Sequence, residues 1–151
     1  MGNKDTELFA KLKELFASQL LAVLGTHSEG GPYTCLICYA ATDDLDRIVF
    51  ATGRSTRKFA NLTADPRASL LIDNRCNETS DLRNAMAVTA LGSVREVDGA
   101  ERDELGALLL TRNPALEEFV ASPSCALIEL RVKSYYAVQR FQQVMEWHLD
   151  S

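Results

Sequence analysis

Strand-length apolar runs recur along this sequence, and most connections between them are too short for parallel pairing. A parallel crossover needs roughly a dozen residues or more, whereas a hairpin closes in about two to five. Residues 20–26 and 33–42 are joined by Ser28-Glu29-Gly30-Gly31, and Asp43-Asp44-Leu45-Asp46 turns the chain into 47–52, ending at Gly53. Further runs cover 67–73, 85–97 (with Gly92 a bulge or bend), 125–132 and 135–147. Six or seven antiparallel strands make a sandwich or a barrel, and a barrel hides its edges better. The expected fold is mainly β.

Short helices fit at the rim. Asp5 or Thr6 can cap a first helix carrying Leu8, Phe9, Leu12, Leu15 and Phe16 at helical spacing. Asp98-x-x-Glu101 has the form of a capping box for a helix through Leu105, Leu108 and Leu109, and Asn113-Pro114 opens another short helix. Residues 74–84 form the longest loop.

A chain of 151 residues is expected to form a single domain, 1–151. Hydrophobic residues at 46% and charged residues at 25% are ordinary globular values and argue against disorder. The net charge of -5 argues against nucleic acid, whose backbone demands a broad basic face. No apolar run approaches the ~20 residues of a membrane span, and a cytoplasmic protein is expected. Cys35 and Cys38 lie three apart on a strand and so point to opposite faces, which rules out a shared metal. His27 and His148 have no ligand companion at useful spacing and read as surface residues.

Against this acidic background, RIVFATGRSTRKFANLTA (47–64) contains no Asp or Glu and four cations, Arg47, Arg54, Arg57 and Lys58. A strand ending at Gly53 feeds Ser55 and Thr56, then a helical pattern closed by Pro66. Free N–H groups, the positive helix end and side-chain cations converge there, as an anion site requires. The same residues also fit a Ser/Thr-capped helix beside solvated cations. Arg57 and Lys58 are adjacent and point about 100° apart, so one of them, Lys58, is expected to meet an anion squarely.

The order of parts resembles the pyridoxamine-phosphate-oxidase-like, FMN-binding split-barrel family. Gly31-Pro32-Tyr33 resembles the family's entry into its second strand, VFATGRSTRKFANLTADPRASLLI (49–72) its central signature, and AVTALGSVREV (87–97) the strand that follows. The resemblance implies a six- to seven-stranded antiparallel split β-barrel with short peripheral α-helices. It implies a homodimer with FMN between the subunits. By position, Thr52, Ser55 or Thr56, Arg57 and Lys58 match phosphate and ribityl contacts, Ala51 is a further cofactor-binding candidate, and Cys35, Leu36, Ile37 and Cys38 match the strand along the flavin ring. Arg140 and Gln142 are candidates to reach the partner's flavin.

Two positions depart from the family's oxidase: Cys35 replaces an FMN-binding arginine and Ala87 a glutamine. Its C-terminal substrate-binding Arg and His have no counterpart either. FMN binding is therefore expected, and pyridoxamine-phosphate oxidation is not. A small-molecule substrate or nicotinamide donor is compatible with this, and the alternatives are a non-catalytic flavin- or haem-binding split-barrel protein or a deazaflavin-dependent reductase. Tyr135, Phe141, Met145 and Trp147 are expected to form core or dimer interface, and Asn74, Arg75 or Asp81 to rim the substrate side.

Overall fold

The structure, a computed structural model, describes residues 3–140 and 143–149. In chain order the elements are α1 (Asn3–Ser18), β1 (Leu21–Ser28), β2 (Gly31–Cys38), β3 (Ala40–Ala41), β4 (Arg47–Gly53), α2 (Arg57–Ala64) and β5 (Arg67–Asp73). They continue with α3 (Asp81–Asn84), β6 (Met86–Val97), α4 (Gly99–Arg112), a 3-10 turn (Pro114–Leu116), α5 (Glu117–Ala121), β7 (Cys125–Gln139) and β8 (Gln143–His148). Every strand pair is antiparallel. The strands form one curled sheet in the order β2-β1-β5-β6-β7-β4-β3, with β8 also on β7. Curling brings β2 and β4 near each other, and α2 packs against β1 and β4 beside that gap. The result is a half-barrel, split between β2 and β4.

Alternation along the strands sends one set of side chains inward. Leu24, Phe50, Leu70, Ile72, Val88 and Leu130 meet Leu8, Leu12, Leu15 and Phe16 of α1. Each such side chain contributes about 1.5–3 kcal/mol when fully buried. A second cluster on the other face of β4 and β7 packs Val49 and Leu127 under Leu105 and Leu109 of α4.

Three expectations change. The run 33–42 is broken at Tyr39, so β2 pairs with β1 while β3 pairs with β4. Tyr39 is buried and its hydroxyl donates to the carbonyls of Phe16 (3.1 Å) and Gln19 (2.9 Å), which pulls the chain out of the strand path. Next, 125–132 and 135–139 belong to one strand, β7. The interruption at Lys133 is a bulge opposite Leu91 and Gly92, and the turn comes at Arg140, with φ 52°. Finally, Asp98 precedes α4 but makes no capping hydrogen bond with its side chain, and Glu101 pairs with Arg95 instead. Arg95 also holds the buried Glu129, which ties α4 to the sheet.

Trp147 stacks on Tyr135 (centroids 5.7 Å apart) and meets Phe9 edge-on at 5.4 Å. Tyr135, Met145 and Trp147 therefore pack into the core of their own chain, while Phe141 lies outside the described residues.

Burial pushes the Tyr39 hydroxyl up to about 12 and raises Tyr135 still further. Tyr135 donates to the carbonyl of Leu45 at 2.7 Å, and Leu45 itself sits at φ 60°. The unfolded chain releases both protons near the ordinary value of 10.0, and the folded chain keeps them. Their contribution is thus whole below pH ~10 and falls as pH rises toward 12, by about 1.4 kcal/mol per pH unit per group. Alkaline titration of phenolate absorbance is expected to show these two phenols ionising only with unfolding. Full ionisation of all four tyrosines with the circular dichroism of the fold intact would contradict this.

Candidate functional site

The split is where backbone is left over. β2 is an edge strand, and β4 pairs with β3 only at Ile48 and Val49 on the side away from β7. Strand edges present rows of polar groups that need a partner or a cover. At this place the chain leaves β4 through Gly53 and enters α2.

Thr56 is the cap of α2, its hydroxyl accepting the N–H of Phe59 at 3.2 Å. It also donates to the Gly53 carbonyl at 2.8 Å and lies 2.9 Å from the Thr52 hydroxyl. Thr52 is buried, so it braces the cap from behind. The N–H groups of Arg57 and Lys58, in the first turn, have no partner among the described residues. Ser55 is exposed beside them.

The four cations of this stretch divide. Arg54 forms a two-pronged pair with Glu96 (2.8 and 2.7 Å), and Arg47 pairs with Glu104 at 3.5 Å. Arg57 places its guanidinium 5.6 Å from the centre of the Tyr33 ring. Lys58 is half-buried and has no ion pair among the described residues. Its charge is felt at β2, where burial raises the Cys35 thiol pKa and the Lys58 ammonium offsets part of that rise. Arg57, Lys58 and the middle of β2 thus share one corner.

Along β2, Cys35 and Ile37 turn toward the core, whereas Leu36 is 63% exposed on the outer face and Cys38 is half-buried. Cys35 and Cys38 thus point apart, and the described residues contain no cluster able to hold a metal. Ala51 faces the α4 cluster, so it can offer the split only its backbone. Arg140 lies far from this corner. It follows the end of β7, whose first residue, Cys125, pairs with Gly53. Gln142 is outside the described residues.

Two contributors had no signal of their own in the sequence. Asn61, one turn beyond Lys58, is buried and donates to the buried Thr26 hydroxyl at 3.0 Å, docking α2 on β1. Tyr33 was legible only as part of the hairpin. The run 74–84 is loop only as far as Ser80, its last four residues forming α3; in it Asn74 accepts the Met86 N–H (2.7 Å), Arg75 pairs with Asp73 (3.1 Å), and Asp81 accepts the N–H groups of Cys76 and Asn77. All three shape the loop. Those N–H groups hold the Asp81 carboxyl below the usual range. Among the described residues no helix is long and apolar enough to cross a membrane.

A curled antiparallel half-barrel with a cationic helix start at its split defines a recognisable class. The family model described as pyridoxamine 5'-phosphate oxidase matches residues 8–139, and the chain belongs to that family. It is similar to a solved structure of a heme binding protein from Mycobacterium smegmatis, with 21% identity and a TM-score of 0.81. That match covers 93% of this chain but 57% of the mycobacterial one. The heme storage protein of Vibrio cholerae matches with 15% identity and a TM-score of 0.72, over 90% of this chain and 92% of that one. An FAD-binding protein of Mesorhizobium loti matches with 16% identity and a TM-score of 0.64, over 85% and 90%. At such identities the likeness concerns the fold. No curated protein matches the sequence.

Proposed function

We propose that this chain is an FMN-binding oxidoreductase whose cofactor lies along the split between β2 and β4, its phosphate at the start of α2. The supporting observation is a single corner holding an open strand edge, the N–H groups of Arg57 and Lys58 and the Lys58 ammonium, none of these groups having a partner among the described residues. In this reading Ser55, Thr56, Arg57 and Lys58 hold the phosphate, and Thr52 acts through Thr56. The backbone of Cys35, Leu36, Ile37 and Cys38 borders the ring. One cationic helix start suits one phosphate, and the sequence offers no second glycine-rich loop for a pyrophosphate. When bound, the flavin would supply the redox chemistry, and the chain would bind, orient and shield it. Arg140, at the other end of β7, has no part in this reading within one chain.

The reading includes a homodimer. On the outer sheet face, Leu36, Val23, Leu71, Thr89 and Tyr136 stand in one row across five strands, beside the exposed Leu21. Monomers rarely leave a broad apolar patch of this kind open. A second copy would cover that row and bring its own surface to the flavin. Light scattering is expected to return twice the chain mass.

The test is the absorption spectrum of freshly purified protein, followed by chromatography of what denaturation releases. A yellow protein releasing FMN, and bleached by NADH or NADPH under nitrogen, is the expected result. A Soret band would favour the haem reading, which the fold likeness to two heme proteins keeps in view. Colourless protein that fails to take up added FMN would reject the flavin reading.

A further inference from the structure

Toward the Arg140 end of β7, three cations, with Arg83 and Arg140 both exposed, gather around an open surface cavity of about 300 Å3 that no carboxylate of the described residues lines. Lys11 of α1, Arg83 of α3 and Arg140 in the β7–β8 turn surround it with the amides of Asn84 and Gln139. Most other arginines are matched by acids: Arg54 by Glu96, Arg67 by Asp65, Arg75 by Asp73, Arg95 and Arg131 by Glu129. Arg83 and Arg140 have no ion pair among the described residues, and Lys11 has only Glu7, one helical turn away, at 3.5 Å.

In a chain of net charge -5, unmatched cations need a reason to share one cavity. Like charges repel, and either solvent screening or a bound anion relieves them. A favourable position at the C-terminal end of α3 accounts for Arg83 alone. Arg140 adopts the left-handed conformation, φ 52°, which is unfavourable for a residue with a side chain, yet it lines this cavity. Two guanidinium forks, one ammonium and two amides match an oxyanion group of at least two negative charges.

We propose that this cavity is a second anion site, for a small molecule carrying a phosphate or a pair of carboxylates. Within one chain it is separate from the α2 corner. The 15 residues of β7 lie between Arg140 and the Gly53 end of the sheet, a path on the order of 45 Å along the strand.

The test is calorimetric titration with inorganic pyrophosphate at low salt, and with citrate in parallel. The proteins are the full chain, Lys58→Ala, an Arg83→Gln/Arg140→Gln double variant, and Arg140→Gly. Lys58→Ala is expected to keep one binding event that weakens as salt rises, and the double variant to lose at least roughly a hundredfold in affinity. Arg140→Gly relieves the backbone conformation, so its melting temperature should hold or rise while binding still weakens about tenfold or more. Binding of pyrophosphate alone would assign the site to phosphates, and binding of citrate as well to oxyanions generally. The proposal is overturned if Lys58→Ala abolishes all binding, if the arginine variants bind like the parent, or if neither anion binds.

Discussion

Gly92→Ala is expected to destabilise the fold by about 3 kcal/mol or more, lowering the melting temperature by roughly 6–12 °C. A Cβ at this position would lie 2.0 Å from the carbonyl oxygen of Arg131 and 2.9 Å from its carbonyl carbon. Neither atom belongs to a flexible side chain. Both are backbone of β7, held in the ladder with β6 on one side and β4 on the other. The approach is this close because Lys133 is the extra residue of the bulge and drives the β7 backbone toward Gly92. Relief would require the two longest strands to part at the centre of the sheet. Gly30, with open space around it, is the control: Gly30→Ala should stay within about 0.5 kcal/mol of the parent. A thermal scan placing Gly92→Ala within a degree or two of the parent would show that the bulge can shift at little cost.

Lys58→Ala is expected to weaken FMN binding by about 1.5–3 kcal/mol, roughly 10–150-fold, with the melting temperature of the apoprotein almost unchanged. Among the described residues the side chain has no acid partner to strand, so its removal leaves none of their charges unpaired. The apolar contacts of α2 come instead from Leu62, which is buried, and Phe59, which packs on the core. Arg57→Ala should cost less, because that guanidinium is already placed on the Tyr33 ring. Fluorescence titration separates the two. A Lys58→Ala affinity equal to the parent's would move the phosphate away from this corner.

The contrast between these residues marks where local reasoning stopped. Run 67–73 is the strand β5 because Asp65-Pro66 ends one element and strict alternation begins the next. The start of α2 was equally legible, since Ser, Thr and a helical apolar pattern are local signals. Arg54 was not. It counts as a cation of the anion site until β6 folds back and brings Glu96 against it, 42 positions away in sequence. Tyr39 fits a strand by propensity, yet two carbonyls at the end of α1 capture its hydroxyl and break the run. Asn61 showed the same limit in reverse, an unremarked helix residue that anchors α2 through Thr26. The break at Lys133 and Ser134 looks like a turn by composition, and only the register of β6 against β7 reveals a bulge. Of the candidate site, the cap and its cations could be read locally. The closing of β2 upon β4 could not, because it is a property of the whole curled sheet.

The most direct test of the central claim compares FMN with riboflavin, which is the same ring and chain without the phosphate. Both ligands are titrated into the parent protein and into Lys58→Ala at fixed ionic strength. The parent is expected to prefer FMN by roughly tenfold or more, and Lys58→Ala to remove most of this preference while leaving riboflavin affinity unchanged. Equal affinities for the two ligands in the parent, or an undiminished preference for FMN in Lys58→Ala, would contradict a phosphate held at the start of α2.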